Sequence, residues 1–493
     1  MAYLSIRWFL ITLAVLTPVL LSLRLGHDRS FAASFHDGAS MLYPDSVDLK
    51  EFEDASLRWS AADSPTYIMI VRVATEVEVQ RTILYANRKR TPFLAISGGH
   101  GQTSTVGKVK NGIGIHLGRM SSMYIDTDGQ SVVIQGGVRN GALISYLWAH
   151  GKQTMTTGCD CVGYIAPILG GGHGWLQGRY GLAADQLISA RLVLANGTAI
   201  EVSQVRNPDL FWAIRGAGHN FGIVTSARLK IYDVEPSQKQ WAASSFVFTH
   251  DKLESLFAMA NNILDSPNRP VGMVHYLVFA FNPDVDPNHP IIVVWIYYQA
   301  ASIPFQYTRP LYALSPVAVE SSTTDLAGVN AHLYATDDGV ACAKGFSRKL
   351  APVSLQRYDI GSIRKAFDVF AGVPSSFHNS VMFAEGYATN RVEEIDANST
   401  AFPDRAGKLL LSPILTYLPN ASLDAIAEDI SNRIRDALLE GSSSKLVSYV
   451  NYARGDESME AIYGYEPWRL EKLRRLKKEY DPFGRFNYYA PIS

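Results

Sequence analysis

The chain has 493 residues, 47% apolar and 18% charged, with a formal net charge of −1. That length exceeds one simple core and points to two domains. A balanced charge with no basic stripe excludes nucleic acid as an expected partner. The three cysteines, Cys159, Cys161 and Cys342, are too few for a disulfide framework, and Cys159 and Cys161 are too close in sequence to bridge comfortably in extended backbone.

The N-terminus is different in kind. Arg7 precedes an apolar run from Trp8 to Leu23, interrupted by Pro18 and followed by Arg24. The run is short for a bilayer span and suits a secretory h-region, with Phe31-Ala32-Ala33-Ser34 as a cleavage site. Residues 1–34 are therefore expected to be a signal peptide or, if uncleaved, a membrane anchor through 8–23. Sequons at Asn196, Asn398 and Asn420 fit the same secretory route to a secreted or membrane-anchored glycoprotein.

Tyr67 to Val73 reads as a strand. Thr75 and Glu78 form a capping box for a helix whose apolar face carries Val79, Ile83 and Ala86. Pro92 to Ile96 reads as a second strand, ending in Ser97-Gly98-Gly99-His100-Gly101. A glycine loop at the end of a β-α-β unit is where open α/β sheets often place ligands. Val132 to Gly136 reads as a strand and Gly141 to His150 as a helix. A second glycine-rich stretch follows, with Gly158-Cys159-Asp160-Cys161-Val162-Gly163 and Gly170-Gly171-Gly172-His173-Gly174. Asn196-Gly197 between two strand-like runs signals a hairpin. Asn207-Pro208-Asp209 opens a helix through Ile214, and Gly222 to Tyr232 reads as a closing strand. Further on, Val271 to Phe281, Ile291 to Gln299 and Leu409 to Tyr417 read as long strands. Ser422 to Leu439 reads as an amphipathic helix with Leu423, Ile426, Ile430, Ile434 and Leu438 on one face and Gly441 at its end. The expected architecture is α+β. It divides into 60–236, a central domain at 237–448 with a mainly antiparallel sheet backed by helices, and a C-terminal segment at 449–493 that returns to the first domain.

Several motifs are absent. There is no Walker loop, no dinucleotide fingerprint and no Gly-x-Ser-x-Gly elbow. His100, His116, His150 and His173 lack zinc spacing, and Cys159-x-Cys161 has no second pair, so no metal is expected. What remains is a His in one glycine loop and a Cys in the other. Glycines allow close backbone approach to a phosphorylated ligand, and both nucleophiles can reach one cofactor, which points to a covalently held flavin.

These residues carry a resemblance. Ser97-Gly98-Gly99-His100, Cys159-x-x-Val162-Gly163, Leu169-Gly170-Gly171-Gly172 with Gly181-Leu182 and Asp185, and Asn207-Pro208-Asp209-Leu210-Phe211-Trp212 stand in order. Asn220-Phe221-Gly222-Ile223-Val224, Tyr449-x-Asn451-Tyr452 and Tyr480-Asp481-Pro482 complete the series. The chain resembles the berberine bridge enzyme-like branch of the p-cresol methylhydroxylase/vanillyl-alcohol oxidase superfamily, in its fungal form, from about residue 55 onward. The resemblance implies a two-part FAD domain around a substrate domain. It implies FAD linked through His100 at the 8α-methyl and through Cys159 at C6; the backbone amides of Gly98, Gly99, His100 and Gly101 are expected to hold the pyrophosphate, with Ser97 also at the cofactor. Gly158, Gly163, Gly170, Gly171 and Gly172 are expected beside the isoalloxazine or phosphates, and Asp185, Ile223 and Val224 at the cofactor edge. Asp160 after the linking Cys, and Ala166-Pro167 before the triple glycine, depart from the family pattern.

For the catalytic base the expectation is Tyr452, with Tyr449 beside it. Strand alternation would put Tyr449 and Asn451 on one face and Val450 and Tyr452 on the other. A Tyr titrating near 10 needs a cation or donor to act at neutral pH. Glu385, His378 and Tyr387 are the other candidates, Cys161 reads as a small buried residue, and His173 reads as a loop residue. The resemblance implies an FAD-linked oxidase of a small organic molecule, a secondary-metabolite intermediate, with dioxygen as electron acceptor. A flavin-containing isomerase or cyclase, or a carbohydrate oxidase, is the alternative.

Overall fold

The structure, a computed structural model, describes residues 31, 35, 39–45, 47–442 and 445–493. The expected signal or anchor, with its apolar run at 8–23, lies outside the described residues. Among those described, no helix is long and apolar enough to cross a membrane.

Three sheets organise the chain. The first contains β1 (Ser40–Leu42), β2 (Tyr67–Arg72), β3 (Phe93–Ile96) and β4 (Gly112–His116) in the order β1-β2-β4-β3, with β2, β4 and β3 parallel. The crossover helix Glu76–Lys89 has the Thr75/Glu78 capping box and buries Val79, Ile83 and Ala86. The second sheet contains β5 (Met123–Ile125), β6 (Ser131–Gln135), β8 (Leu187–Val193), β9 (Ala199–Ser203) and β10 (Ile223–Lys230), in the order β5-β6-β10-β8-β9. Asn196-Gly197 sits at the tip of the antiparallel β8–β9 pair as expected, and β7 (Lys152–Gln153) pairs separately with β11 (Tyr232–Asp233).

The third sheet is antiparallel. It is built from β12 (Trp241–Phe248), β13 (Met273–Ala280), β14 (Ile291–Tyr298), β15 (Ala318–Thr324), β16 (Ser347–Leu350), β17 (Val353–Leu355), β18 (Val381–Gly386) and β19 (Leu409–Tyr417). Its path is β15-β12-β14-β13-β18-β19-β16, with β17 also on β19. Helices Leu253–Leu264, Ile360–Ala371 and Ala421–Glu440 cover one face, packing Phe257, Phe367, Phe370 and Ile434 on Leu277, Phe279 and Leu411. The last helix departs from its expected face. Ile430, Ile434 and Leu438 are buried, but Ile426 is exposed, because the stripe is narrower than the sequence period suggested.

The other face meets the part of the chain that carries the two smaller sheets. Trp175 is fully buried there, edge-on to Trp241, Tyr276 and Tyr297. The C-terminal helix Pro467–Tyr480 packs on helix Pro208–Ala217 and shares the core of the second sheet through Leu470, Leu473 and Leu476. The C-terminal segment thus returns to the part of the molecule that holds the second sheet.

Candidate active site

The loop after β3 carries Ser97, Gly98, Gly99, His100 and Gly101, and all five line a cavity of about 330 Å³. Gly99 turns the chain with φ of +73°, a conformation that L side chains rarely adopt. Opposite lies the segment with Gly158, Cys159 and Gly163, which also line the cavity. The two loops touch closely, since a Cβ on Gly98 would lie 2.5 Å from the Cys161 carbonyl oxygen. A neighbouring cavity of about 140 Å³ is lined by Ile223, Val224, Leu117, Phe486 and Arg485. The two share Leu94, Ala95, Ser97, Ala166, His219 and Tyr489, so they form one elongated trough.

Three expectations change. Gly170, Gly171 and Gly172 do not line either cavity. They admit other parts of the protein instead, Asn451 against Gly170, the Phe402 ring against Gly171 and Ala183 against Gly172. Asp185 is also away from the trough, buried in a bidentate pair with Arg405 at 2.6 and 2.8 Å. Residues 449–452 are a turn rather than a strand, closed by the Tyr452 N–H on the Tyr449 carbonyl at 2.8 Å. The turn brings Tyr449, Asn451 and Tyr452 together to the cavity, where alternation would have parted them. Asn451 Nδ2 donates to the Tyr449 hydroxyl at 2.7 Å, which also accepts the His173 N–H at 3.2 Å.

The cysteines form one bridge. Cys161 is buried, as expected, and is disulfide-bonded to Cys342 of the 335–342 loop, while Cys159 keeps its thiol. Chain folding brings together two residues 181 apart in sequence, which spacing alone could not show. Burial pushes the Cys159 thiol up to about 12, helped by the nearby charges of Asp160 and Asp337. Burial pushes His100 down to about 3, reinforced by Lys344, Arg348, Arg58 and Arg139, so its imidazole is neutral. Its ring stacks on Trp59 at 5.2 Å.

The large sheet supplies the far wall. Tyr276 on β13 is paired with Glu385 on β18, and directly opposed residues share a sheet face. Phe383, Glu385 and Tyr387 alternate onto that face and line the cavity, while Met382 and Ala384 pack under the helices. Tyr387 donates to Glu385 Oε2 at 2.6 Å, and Tyr276 donates to the Tyr387 hydroxyl at 3.0 Å. Tyr452 also lies beside Glu385 and feels its charge. Burial raises Glu385 to about 7 despite these two hydroxyls. Burial, then the Glu385 charge, drives Tyr452 well above its ordinary range. The expected cation beside Tyr452 is thus replaced by a carboxylate. His378 is elsewhere, exposed and stacked on Phe281 at 4.1 Å. Sequence reasoning missed Tyr276, Thr157 and the cationic group around His100. Only the aromatic character of the strand at Val271 to Phe281 hinted at the first.

The trough fits a dinucleotide flavin. Thr157 Oγ1 and Gln102 Oε1 on the large cavity, and Arg485 Nε on the small one, are buried polar atoms with no hydrogen-bond partner among the described residues, as a site built for a polar ligand requires. A Cβ on Gly158 would meet nothing closer than 3.8 Å, so that backbone is open to the cavity.

Residues 67–203 match the family described as an FAD binding domain. The chain is 39% identical to the FAD-linked oxidoreductase chyH of Penicillium rubens, over 94% of this chain and 93% of that one. It is 40% identical to the FAD-linked oxidoreductase chry5 of Gibberella zeae, over 94% of each. Among solved structures, Physcomitrella patens BBE-like 1 superposes with a TM-score of 0.79 at 19% identity, covering 92% of this chain and 97% of that one. Glucooligosaccharide oxidase from Acremonium strictum, described with a 6-S-cysteinyl, 8α-N1-histidyl FAD, gives 0.77 at 18%, over 92% and 97%. The last two likenesses concern the fold. The chain belongs to the FAD-linked oxidoreductases. It is an enzyme that uses FAD.

Proposed function

We propose that this enzyme is an oxidase of a small, largely apolar or aromatic organic molecule, a secondary-metabolite intermediate, with dioxygen as the final electron acceptor. The observation that carries this reading is Glu385, a buried carboxylate near neutrality that accepts a hydrogen bond from Tyr387 and lies beside Tyr452 at the cavity wall. The bound FAD supplies a two-electron acceptor for a substrate hydride. Removing a hydride from an alcohol, amine or activated C–H leaves a proton to be taken up. Tyr452, too basic to be ionised at neutral pH, takes that proton only as its own passes to Glu385. Tyr387 and Tyr276 orient the carboxylate through their hydroxyl chain. Tyr276, Leu333, Leu350, Phe383 and Ile414 make the rest of the wall apolar, which favours an aromatic or aliphatic substrate over a sugar.

For the cofactor, His100 is the 8α-methyl link in this reading and Cys159 the C6 link. Gly98, Gly99 and Gly101 serve the pyrophosphate, and Ile223 and Val224 the far end of the trough. The exposed Asn196, Asn398 and Asn420 support passage through the secretory pathway. Anaerobic mixing with a panel of aromatic alcohols and amines tests the activity. Loss of the flavin's visible absorbance, recovered on admitting air with release of hydrogen peroxide, is expected. Product formation without bleaching would indicate an isomerase or cyclase.

A further inference from the structure

Three sulfur atoms and one imidazole crowd the junction of the two glycine loops. Cys159 Sγ lies 3.4 Å from Cys161 Sγ and 3.4 Å from Cys342 Sγ. His100 Nε2 lies 2.9 Å from Cys161 Sγ. A disulfide sulfur carries no proton and can only accept. The pairing therefore has one consistent form, in which Nε2 holds the imidazole proton and donates it to Cys161 Sγ. A neutral imidazole protonated at Nε2 has its lone pair at Nδ1. That nitrogen has no hydrogen-bond partner among the described residues, and His100 lines the cavity. We infer that the Cys161–Cys342 disulfide is a positioning device for cofactor attachment: it selects the His100 tautomer whose Nδ1 is the nucleophile, and it leaves Cys159 as the one thiol beside the cavity. The inference rests on the proposed His100 link.

The chemistry balances with dioxygen, the proposed electron acceptor, as the oxidant. Attachment forms one bond from Nδ1 to the 8α-carbon. The methyl group loses one hydrogen and the imidazole its N–H, and dioxygen takes up the two electrons and two protons as hydrogen peroxide. Cys161 left as a thiol would reverse the pairing, since an S–H donating to Nε2 places the imidazole proton on Nδ1 and removes the nucleophile. It would also put a second thiol next to Cys159. The bridge is not the sole tether of its loop. The Asp160 N–H donates to the Ala335 carbonyl at 2.9 Å, Asn330 donates to Asp160 at 2.6 Å, and Trp59 Nε1 donates to the Ala341 carbonyl at 2.8 Å. Holding the loop and holding the tautomer can therefore be separated.

The test compares holoenzymes by peptide mass mapping of FAD adducts. In Cys342→Ser, which leaves the Cys161 thiol beside His100, the His100-linked fraction should fall at least fivefold. In Cys161→Ala/Cys342→Ala, which removes bridge and thiol together, most of that loss should be recovered. Unchanged linkage in Cys342→Ser, or an equal loss in both variants, would overturn the inference, the second outcome assigning the bridge a tethering role alone. If wild-type enzyme carries no adduct on His100, the reading of the link itself fails. Nitrogen-15 histidine spectra of that same holoenzyme, with His100 assigned by His100→Gln, then decide the inference, and a proton on Nδ1 would contradict it.

Discussion

The two glycine-rich segments look alike in sequence and differ in what they line. Ser97 to Gly101 presents its backbone to the trough, whereas Gly170 to Gly172 admits Asn451, Phe402 and Ala183. Both pack closely on protein, Gly98 on the Cys161 carbonyl oxygen and Gly101 on the Tyr489 ring in the first segment, but only the first lines the trough. Glycine runs near a cofactor are therefore not interchangeable evidence of contact with it.

Changes on the cavity side should alter chemistry and leave folding intact. The largest effect is expected for Glu385→Gln, with flavin reduction slowed by about 10²–10⁴-fold and an unchanged melting temperature. The wild-type rate should rise with pH up to about 7, where Glu385 ionises, and level off above it. A flat profile, or a Gln variant at wild-type speed, would remove Glu385 from proton uptake.

Packing-side changes should do the reverse. Gly171 has φ of +102°, and a Cβ there would lie 2.5 Å from the Phe402 ring. Gly171→Ala should lower stability by about 2–5 kcal/mol, as read by denaturant titration, with the visible spectrum of the remaining folded enzyme unchanged. A selective loss of FAD instead would put this segment on the cofactor after all.

Tyr452→Phe sharpens the cavity side. It keeps the turn and the ring but loses the hydroxyl beside Glu385, and flavin reduction should slow by about tenfold or more. An unchanged rate would leave Glu385 acting alone. The smallest effect is expected for His378→Ala. Its ring stacks on Phe281 away from the trough, so rate and spectrum should match wild type.

Much of this organisation was legible in the sequence because it rests on local rules. The Thr75/Glu78 capping box, the Asn196-Gly197 hairpin and the β19 strand each follow from short-range chemistry. Tyr449-Val450-Asn451-Tyr452 misled because alternating apolar and polar residues imitate a strand, while the Asn451 side chain closes a turn onto Tyr449. Asp185 misled because its partner, Arg405, is distant in sequence. The near-neutral carboxylate was out of reach for the same kind of reason. It depends on the β13–β18 register that sets Tyr276 beside Glu385, and on burial by both halves of the molecule. The Cys161–Cys342 bridge and its effect on His100 likewise exist only once the two loops meet.

Acid precipitation of the purified enzyme, followed by peptide mapping of the pellet, tests the cavity-side account without any substrate. Yellow colour retained in the pellet, with FAD mass on the peptide containing His100, is the predicted result. Colour released wholly to the supernatant would contradict it: the first glycine loop would then hold FAD through its backbone alone.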